Sequence, residues 1–161
     1  MSRINLKIII IMGILSSIFG MFGCKSNRAT FVAKQITIAQ LDNELELLRA
    51  GKTEYDFIGI TSNGIDCIYF VKNNGKFNIE FEAMVETQIP FIEKLKEFAD
   101  KKGFRHKMTT YGNKPRYNSD TPAPVLLIET NTDLKETARL GAEIQSLIFG
   151  NSNETKYDVV P

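Results

Sequence analysis

Tyr55–Ala83 reads YDFIGITSNGIDCIYFVKNNGKFNIEFEA, and these residues decide the fold. Asn63-Gly64 stands between Tyr55–Ser62 and Ile65–Lys72, two runs rich in β-branched and aromatic residues. An Asn-Gly pair accepts the positive φ angles of a type I′ turn, the favoured connection of a tight hairpin. Asn73-Asn74-Gly75 then turns the chain again, into Phe77–Ala83. The reading is a three-stranded antiparallel meander.

The two turns set an expected register. A two-residue loop at 63–64 pairs Ile60 with Cys67 and Ile58 with Tyr69. A three-residue loop at 73–75 pairs Val71 with Phe77, Tyr69 with Ile79, and Cys67 with Phe81. Directly paired residues share a face. One face is therefore expected to carry Ile58, Ile60, Cys67, Tyr69, Val71, Phe77, Ile79 and Phe81 as core. Phe57, Ile68 and Phe70 fall on the opposite face, beside Asn78, Glu80 and Glu82. Left bare, they form an apolar patch suited to a protein partner or a second copy. A helix or the tail of the same chain is the other candidate cover. Cys67 reads as a small buried hydrophobe with an inert thiol.

Helical patterns flank this meander. Thr37-Ile38-Ala39-Gln40 fits a capping box, and Ile38, Leu41, Leu45 and Leu48 make an apolar stripe that Gly51 ends. A second helix has Pro90 in its first turn, an apolar stripe of Ile92, Leu95, Phe98 and Ala99, and Gly103 as its stop. Phe104–Thr110 and Val125–Thr130 read as strands, joined by a polar loop over residues 111–124. A third helix starts near Asp133, runs to Phe149, and carries Thr137, Leu140, Gly141, Ile144, Leu147 and Ile148 on its apolar side. The expectation is one α+β domain over residues 37–150, an antiparallel sheet with flanking helices in the order α-β-β-β-α-β-β-α. Residues 24–36 read as a tether and 151–161 as an irregular tail. The element order resembles that of type III secretion chaperones, which implies a protein-binding role by topology alone.

The N-terminus carries an address. Arg3 and Lys7 precede an uncharged apolar run from Ile8 to Phe22, and Met21-Phe22-Gly23-Cys24 follows. That run is shorter than the roughly 20 residues a spanning helix needs, and it suits a secretory signal. The ending resembles the lipobox of bacterial lipoproteins, with Gly23 before the cysteine and Phe22 bulkier than the usual residue. The resemblance implies a signal over residues 1–23, diacylation of Cys24 (palmitate among the acyl groups), and a membrane contact made through that lipid. It implies a cell-envelope location and, with Lys25 next to the cysteine in a diderm host, the periplasmic side of the outer membrane. The other reading of the same residues is an uncleaved anchor, with the domain as a membrane-bound cytoplasmic adaptor.

Composition narrows the partners. Lys and Arg together number 20 against 19 Asp and Glu, so no global charge attracts nucleic acid. Among local clusters, Lys114, Arg116 and Tyr117 join cations to an aromatic ring and form a candidate anion-binding site. The alternative for them is a solvated polar loop. Cys67 and His106 are the two residues from which a nucleophile pair could be built, and neither has a supporting signature. One histidine and separated cysteines call for no metal and no cofactor. The sequence therefore reads as an envelope binding module of unknown partner, with a small enzyme as the second reading and no catalytic residue to name.

Overall fold

Seven strands pair into one antiparallel sheet: β1 (Lys34–Thr37), β2 (Phe57–Thr61), β3 (Ile68–Asn73), β4 (Lys76–Glu82), β5 (Arg105–Pro115), β6 (Pro122–Thr132) and β7 (Lys156–Val160). Their spatial order is β1-β7-β2-β3-β4-β6-β5. Three α-helices accompany the sheet among the described residues: α1 (Leu41–Arg49), α2 (Ile89–Lys102) and α3 (Leu134–Leu147). The computed structural model describes residues 34–115 and 120–160. The expected signal, Cys24, the tether up to residue 33, and Arg116 and Tyr117 lie outside the described residues. Lys114 belongs to β5.

All three helices pack on one face of the sheet. The core joins Leu41, Leu45 and Leu48 of α1 with Ile92, Leu95 and Phe98 of α2 and Leu140 and Ile144 of α3. The sheet meets them with Ile58, Ile60, Ile68, Phe70, Phe77, Ile79, Phe81, Leu126 and Ile128. The helix ends follow local chemistry. The Gln40 side chain accepts from the Thr37 amide at 2.9 Å, Asp133 accepts from the Glu136 amide at 3.0 Å, and Gly103 closes α2 at φ 75°. Gly141 lets α3 approach, since a Cβ there would stand 2.8 Å from Leu41 Cδ2 and from Phe70 Cζ.

The mixed α and β character and the antiparallel sheet stand as expected, but the element order does not. Two strands lie outside the anticipated pattern. The C-terminal segment expected to be irregular forms β7, inserted between β1 and β2. The end of the expected tether forms β1. Tyr157 and Ile36, paired across β7 and β1, are buried in the core. Such short strands carry only two inward residues each, too few for a visible alternation. Their partners lie at the far end of the chain. With the order changed, the topological likeness to type III secretion chaperones loses its basis.

The register of the meander is also corrected. Ile58 pairs with Phe70 and Ile60 with Ile68, one residue away from the expected partners. Lys72 pairs with Phe77 and Asn73 with Lys76. The type I′ turn is at Asn74-Gly75, where φ is 50° and 77°. Asn63-Gly64 instead belongs to a longer loop between Thr61 and Ile68. There the Asn63 side chain accepts from the Ile65 amide at 2.8 Å, a bond that closes the loop locally. A one-residue shift turns a strand over. Ile68 and Phe70 are thus fully buried under the helices, while Tyr69 and Val71 face the other way. The grouping of Phe57 with Ile68 and Phe70 on one surface is therefore corrected: Phe57 is on the face left uncovered by the described residues, and the other two are core.

Asp66 holds the displaced loop. Its Oδ1 accepts from Thr61 Oγ1 at 2.7 Å and from the Ser62 amide at 2.9 Å. Its Oδ2 accepts from Ser62 Oγ at 2.5 Å and from Asn151 Nδ2 at 2.6 Å. Gln145 of α3 donates to the Asp66 carbonyl at 2.9 Å, and Gln88 donates to the carbonyls of Gly64 and Ile65 at 3.2 and 3.1 Å. This accounts for the face of α3. Gln145 points inward and is buried, whereas Leu147, expected on the apolar stripe, is 71% exposed.

Candidate functional site

The face of the sheet opposite the helices is built from alternate residues of the same strands. Tyr69 and Val71 come from β3, Phe57 and Gly59 from β2, Glu80 and Glu82 from β4. Leu127 and Glu129 come from β6 and Lys107 and Tyr111 from β5, as the cross-strand pairs Tyr69 with Glu80, Glu80 with Leu127 and Lys107 with Leu127 require. Gly59 has a steric role here. A Cβ on it would lie 2.6 Å from Val160 Cγ2 and 2.8 Å from Tyr69 Cδ1. The absent side chain lets the Tyr69 ring lie down on β2.

Three hollows share walls along this face. The first, about 330 Å³, is lined by Phe57, Tyr69, Val71, Glu80, Glu82 and Tyr111, among others. The second, about 450 Å³, shares Val71 and Glu80 with it and adds Lys107, Glu129 and Asn131. The third, about 220 Å³, shares Tyr69 and Glu82 and adds Cys67, Gln88 and Val160. Tyr69, Glu80 and Glu82 therefore stand at the partitions of a continuous trough. Aromatic rings stiffen its wall. Phe57 meets Tyr69 edge-on at 5.9 Å between centroids, and Tyr55 stacks on Phe57 at 5.3 Å.

Crowding by these neighbours desolvates the polar groups. Burial raises the Glu80 carboxyl above its usual value, with the positive charge of Lys107 opposing the shift. Burial likewise raises the Tyr69 phenol, and the adjacent Cys67 adds to the effect. The Cys67 thiol is pushed up to about 11, again mainly by burial, with a hydrogen bond to Tyr69 working the other way. At neutral pH the phenol and thiol are protonated, so each can donate a hydrogen bond and neither is poised to attack. Cys67 was expected on the helix-side core. It is half-buried, and it lies beside Tyr69 in the third hollow.

The remaining candidate residues do not converge. His106 lies on the helix side of β5, with its Nε2 3.1 Å from Asp100 of α2. Cys67 borders the opposite face next to β3, with β4 and β6 between it and β5. Three interstrand spacings amount to about 14 Å. Arg105 and Lys107 both reach Glu129, at 3.1 and 3.4 Å. Among the described residues no group of three or more His, Cys, Asp or Glu side chains could hold a metal ion. Among the same residues no helix is long and apolar enough to cross a membrane.

Sequence reasoning picked out Phe57 and missed Tyr69, Val71, Glu80 and Tyr111 as one site. The signal was present in β4, whose Asn78, Glu80 and Glu82 alternate cleanly with Phe77, Ile79 and Phe81. Turning over β3 is what sets Tyr69 and Val71 beside those acids. No protein-family model matches the chain, and no curated protein or solved structure matches it.

Proposed function

We propose that this chain is a lipid-anchored binding module of the cell envelope, holding its partner on the uncovered face of the sheet. The observation that supports a binding role is the trough itself. A sheet with one face packed on helices needs nothing on the other, and a merely solvated face alternates to polar side chains. Here that face instead gathers half-buried rings and carboxylates around hollows of ligand size. The anchor rests on Met21-Phe22-Gly23-Cys24 after the apolar run. Lys25 directs the acylated form to the outer membrane in a diderm host. The membrane contact is then made by the lipid, and the domain is free to present its sheet to the periplasm.

Two measurements test the two halves. Intact-mass analysis of the native protein is expected to show a chain beginning at acylated Cys24, and Cys24→Ala to leave it unprocessed. Recovery of the full chain with Met1 retained sinks the anchor. For the face, Val71→Arg with Thr109→Arg places charge in the first hollow without entering the helix-side core. The double variant is expected to keep its circular dichroism and melting temperature while losing whatever copurifies with the wild type from envelope extracts. Undiminished copurification sinks the assignment of this face.

A further inference from the structure

We propose that Asn74 is a site of spontaneous deamidation, and that Asn63, in the same Asn-Gly dipeptide, is held intact by its loop. Neither the anchor nor the binding face enters into this. Asn-Gly favours the chemistry because glycine leaves the following amide nitrogen unhindered and its backbone free to turn. That nitrogen attacks the asparagine Cγ and forms the ring bond of a succinimide. The Cγ–Nδ2 bond breaks, and ammonia leaves with the proton of the attacking amide. Water then opens the ring at either carbonyl, giving aspartate or isoaspartate. No oxidant, reductant or enzyme is needed.

The attack needs the glycine nitrogen and Cγ on the same side of the asparagine Cα–C bond. A left-handed asparagine holds them on opposite sides, so the turn at Asn74 opens before it reacts. What must be broken then sets the rate. Asn74 is exposed at the tip of the β3–β4 hairpin, with φ 50°. Opening there costs the terminal ladder pair, Asn73 with Lys76. Among the described residues no hydrogen bond ties the Asn74 carboxamide or the Gly75 amide into the turn.

Asn63-Gly64 is also exposed, yet both of its reacting groups are engaged. Asn63 Oδ1 accepts from the Ile65 and Asp66 amides at 2.8 and 3.3 Å, and the Gly64 amide donates to Thr61 Oγ1 at 2.7 Å. The Asn63 amide donates to Asp66 Oδ1 at 3.3 Å, and Gln88 Nε2 donates to the Gly64 carbonyl at 3.2 Å. Bringing the Gly64 nitrogen to Cγ breaks several of these bonds together. Exposure does not separate the two sites; bonding does. The two products at Asn74 also differ. Aspartate tolerates the left-handed region and keeps the turn. Isoaspartate puts a methylene into the main chain, which a two-residue turn absorbs only by loosening the Asn73–Lys76 pair.

The test incubates the full chain in detergent micelles, folded and in urea, in mildly alkaline buffer made with heavy-oxygen water. Peptide mapping by mass spectrometry then reads the label at each site, and electron-transfer fragmentation separates aspartate from isoaspartate. In the folded chain Asn74 is expected to convert at least about ten-fold faster than Asn63. In urea the two rates should agree within about two-fold, because the bonded loop is gone. Thr61→Val removes the Gly64 acceptor and should raise the Asn63 rate several-fold, with Asn74 unchanged as the internal control. The wild-type comparison reads the proposal even where that variant fails to fold. Equal rates at the two sites in the folded chain overturn the protection of Asn63. An unlabelled Asn74 in the folded chain, over a period in which the chain in urea converts, overturns the site.

Discussion

Asn63-Gly64 and Asn74-Gly75 are the same dipeptide, in successive hairpins of one sheet, and they do different things. At Asn74-Gly75 both residues take positive φ and close a two-residue turn. At Asn63-Gly64 only the glycine does, and the Asn63 carboxamide ties the amides of Ile65 and Asp66 into a longer loop. The difference lies downstream. Asp66 collects Thr61, Ser62, Asn63 and Asn151, whereas Lys76 offers nothing comparable after Gly75. A turn dipeptide thus states a preference, and a nearby side chain that satisfies several buried donors at once overrides it.

The comparison has a geometric consequence. Each turn shifts the pairing by one residue from the expected register, and the two shifts compensate. Ile58 and Ile79 are level in the sheet either way, linked through Tyr69 in the expected register and through Phe70 in the structure. Only β3, the strand between the turns, is turned over. The trough exists because of that inversion.

The largest expected effect sharpens this point. Phe70→Ala, on the core side, should cost about 3–5 kcal/mol in urea unfolding. Tyr69→Ala, on the uncovered side, should cost about half as much or less. A reversed order would restore the tight turn at Asn63-Gly64. Next comes the hub. Asp66→Ala should cost about 2–4 kcal/mol by leaving buried donors unsatisfied. Burial alone would raise the Asp66 pKa, but its hydrogen bonds together outweigh that effect and hold it below the ordinary 3.8. Its contribution is therefore present above pH about 4 and lost as the pH falls through the folded-state value. The variant should show a shallower acid destabilisation than the wild type; matching acid curves would remove Asp66 from the account.

Replacing each asparagine by glycine separates the turns more finely. Asn74→Gly should change stability by no more than about 0.5 kcal/mol, since glycine accepts the same left-handed backbone. Asn63→Gly should cost about 1 kcal/mol or more, because its carboxamide is a loop bond. Equal losses at both sites would mean that the two loops close alike. The smallest effect is at Cys67. Cys67→Ser should cost no more than about 1 kcal/mol, as expected for a half-buried site. Alkylation of the wild-type thiol should be slow at pH 8 and climb about ten-fold per pH unit toward its pKa of about 11. Fast labelling at pH 8 would place Cys67 in a more polar setting than the third hollow.

Local chemistry was legible in the residues alone. The helices were readable from stripes such as Ile92, Leu95, Phe98 and Ala99, all buried as expected, and from stops such as Gly103. The strands Phe57–Thr61 and Lys76–Glu82 were readable with the correct side inward, because one-residue alternation is a local property. Three things depended on the tertiary structure. Tyr157 enters the core only because β7 finds a slot beside β1, and that pairing joins opposite ends of the domain. Gln145 turns inward only because the Asp66 carbonyl is there to accept its amide. Tyr69 and Glu80 meet on one face only because Gln88, Gln145 and Asn151, all distant in sequence, close the 62–67 loop together with its own Asp66. The sequence by itself determined which segments are helix and strand and which way most of them face. Strands β1 and β7, the inversion of β3 and the trough were decided by long-range hydrogen bonds, whose partners become neighbours only once the chain has folded.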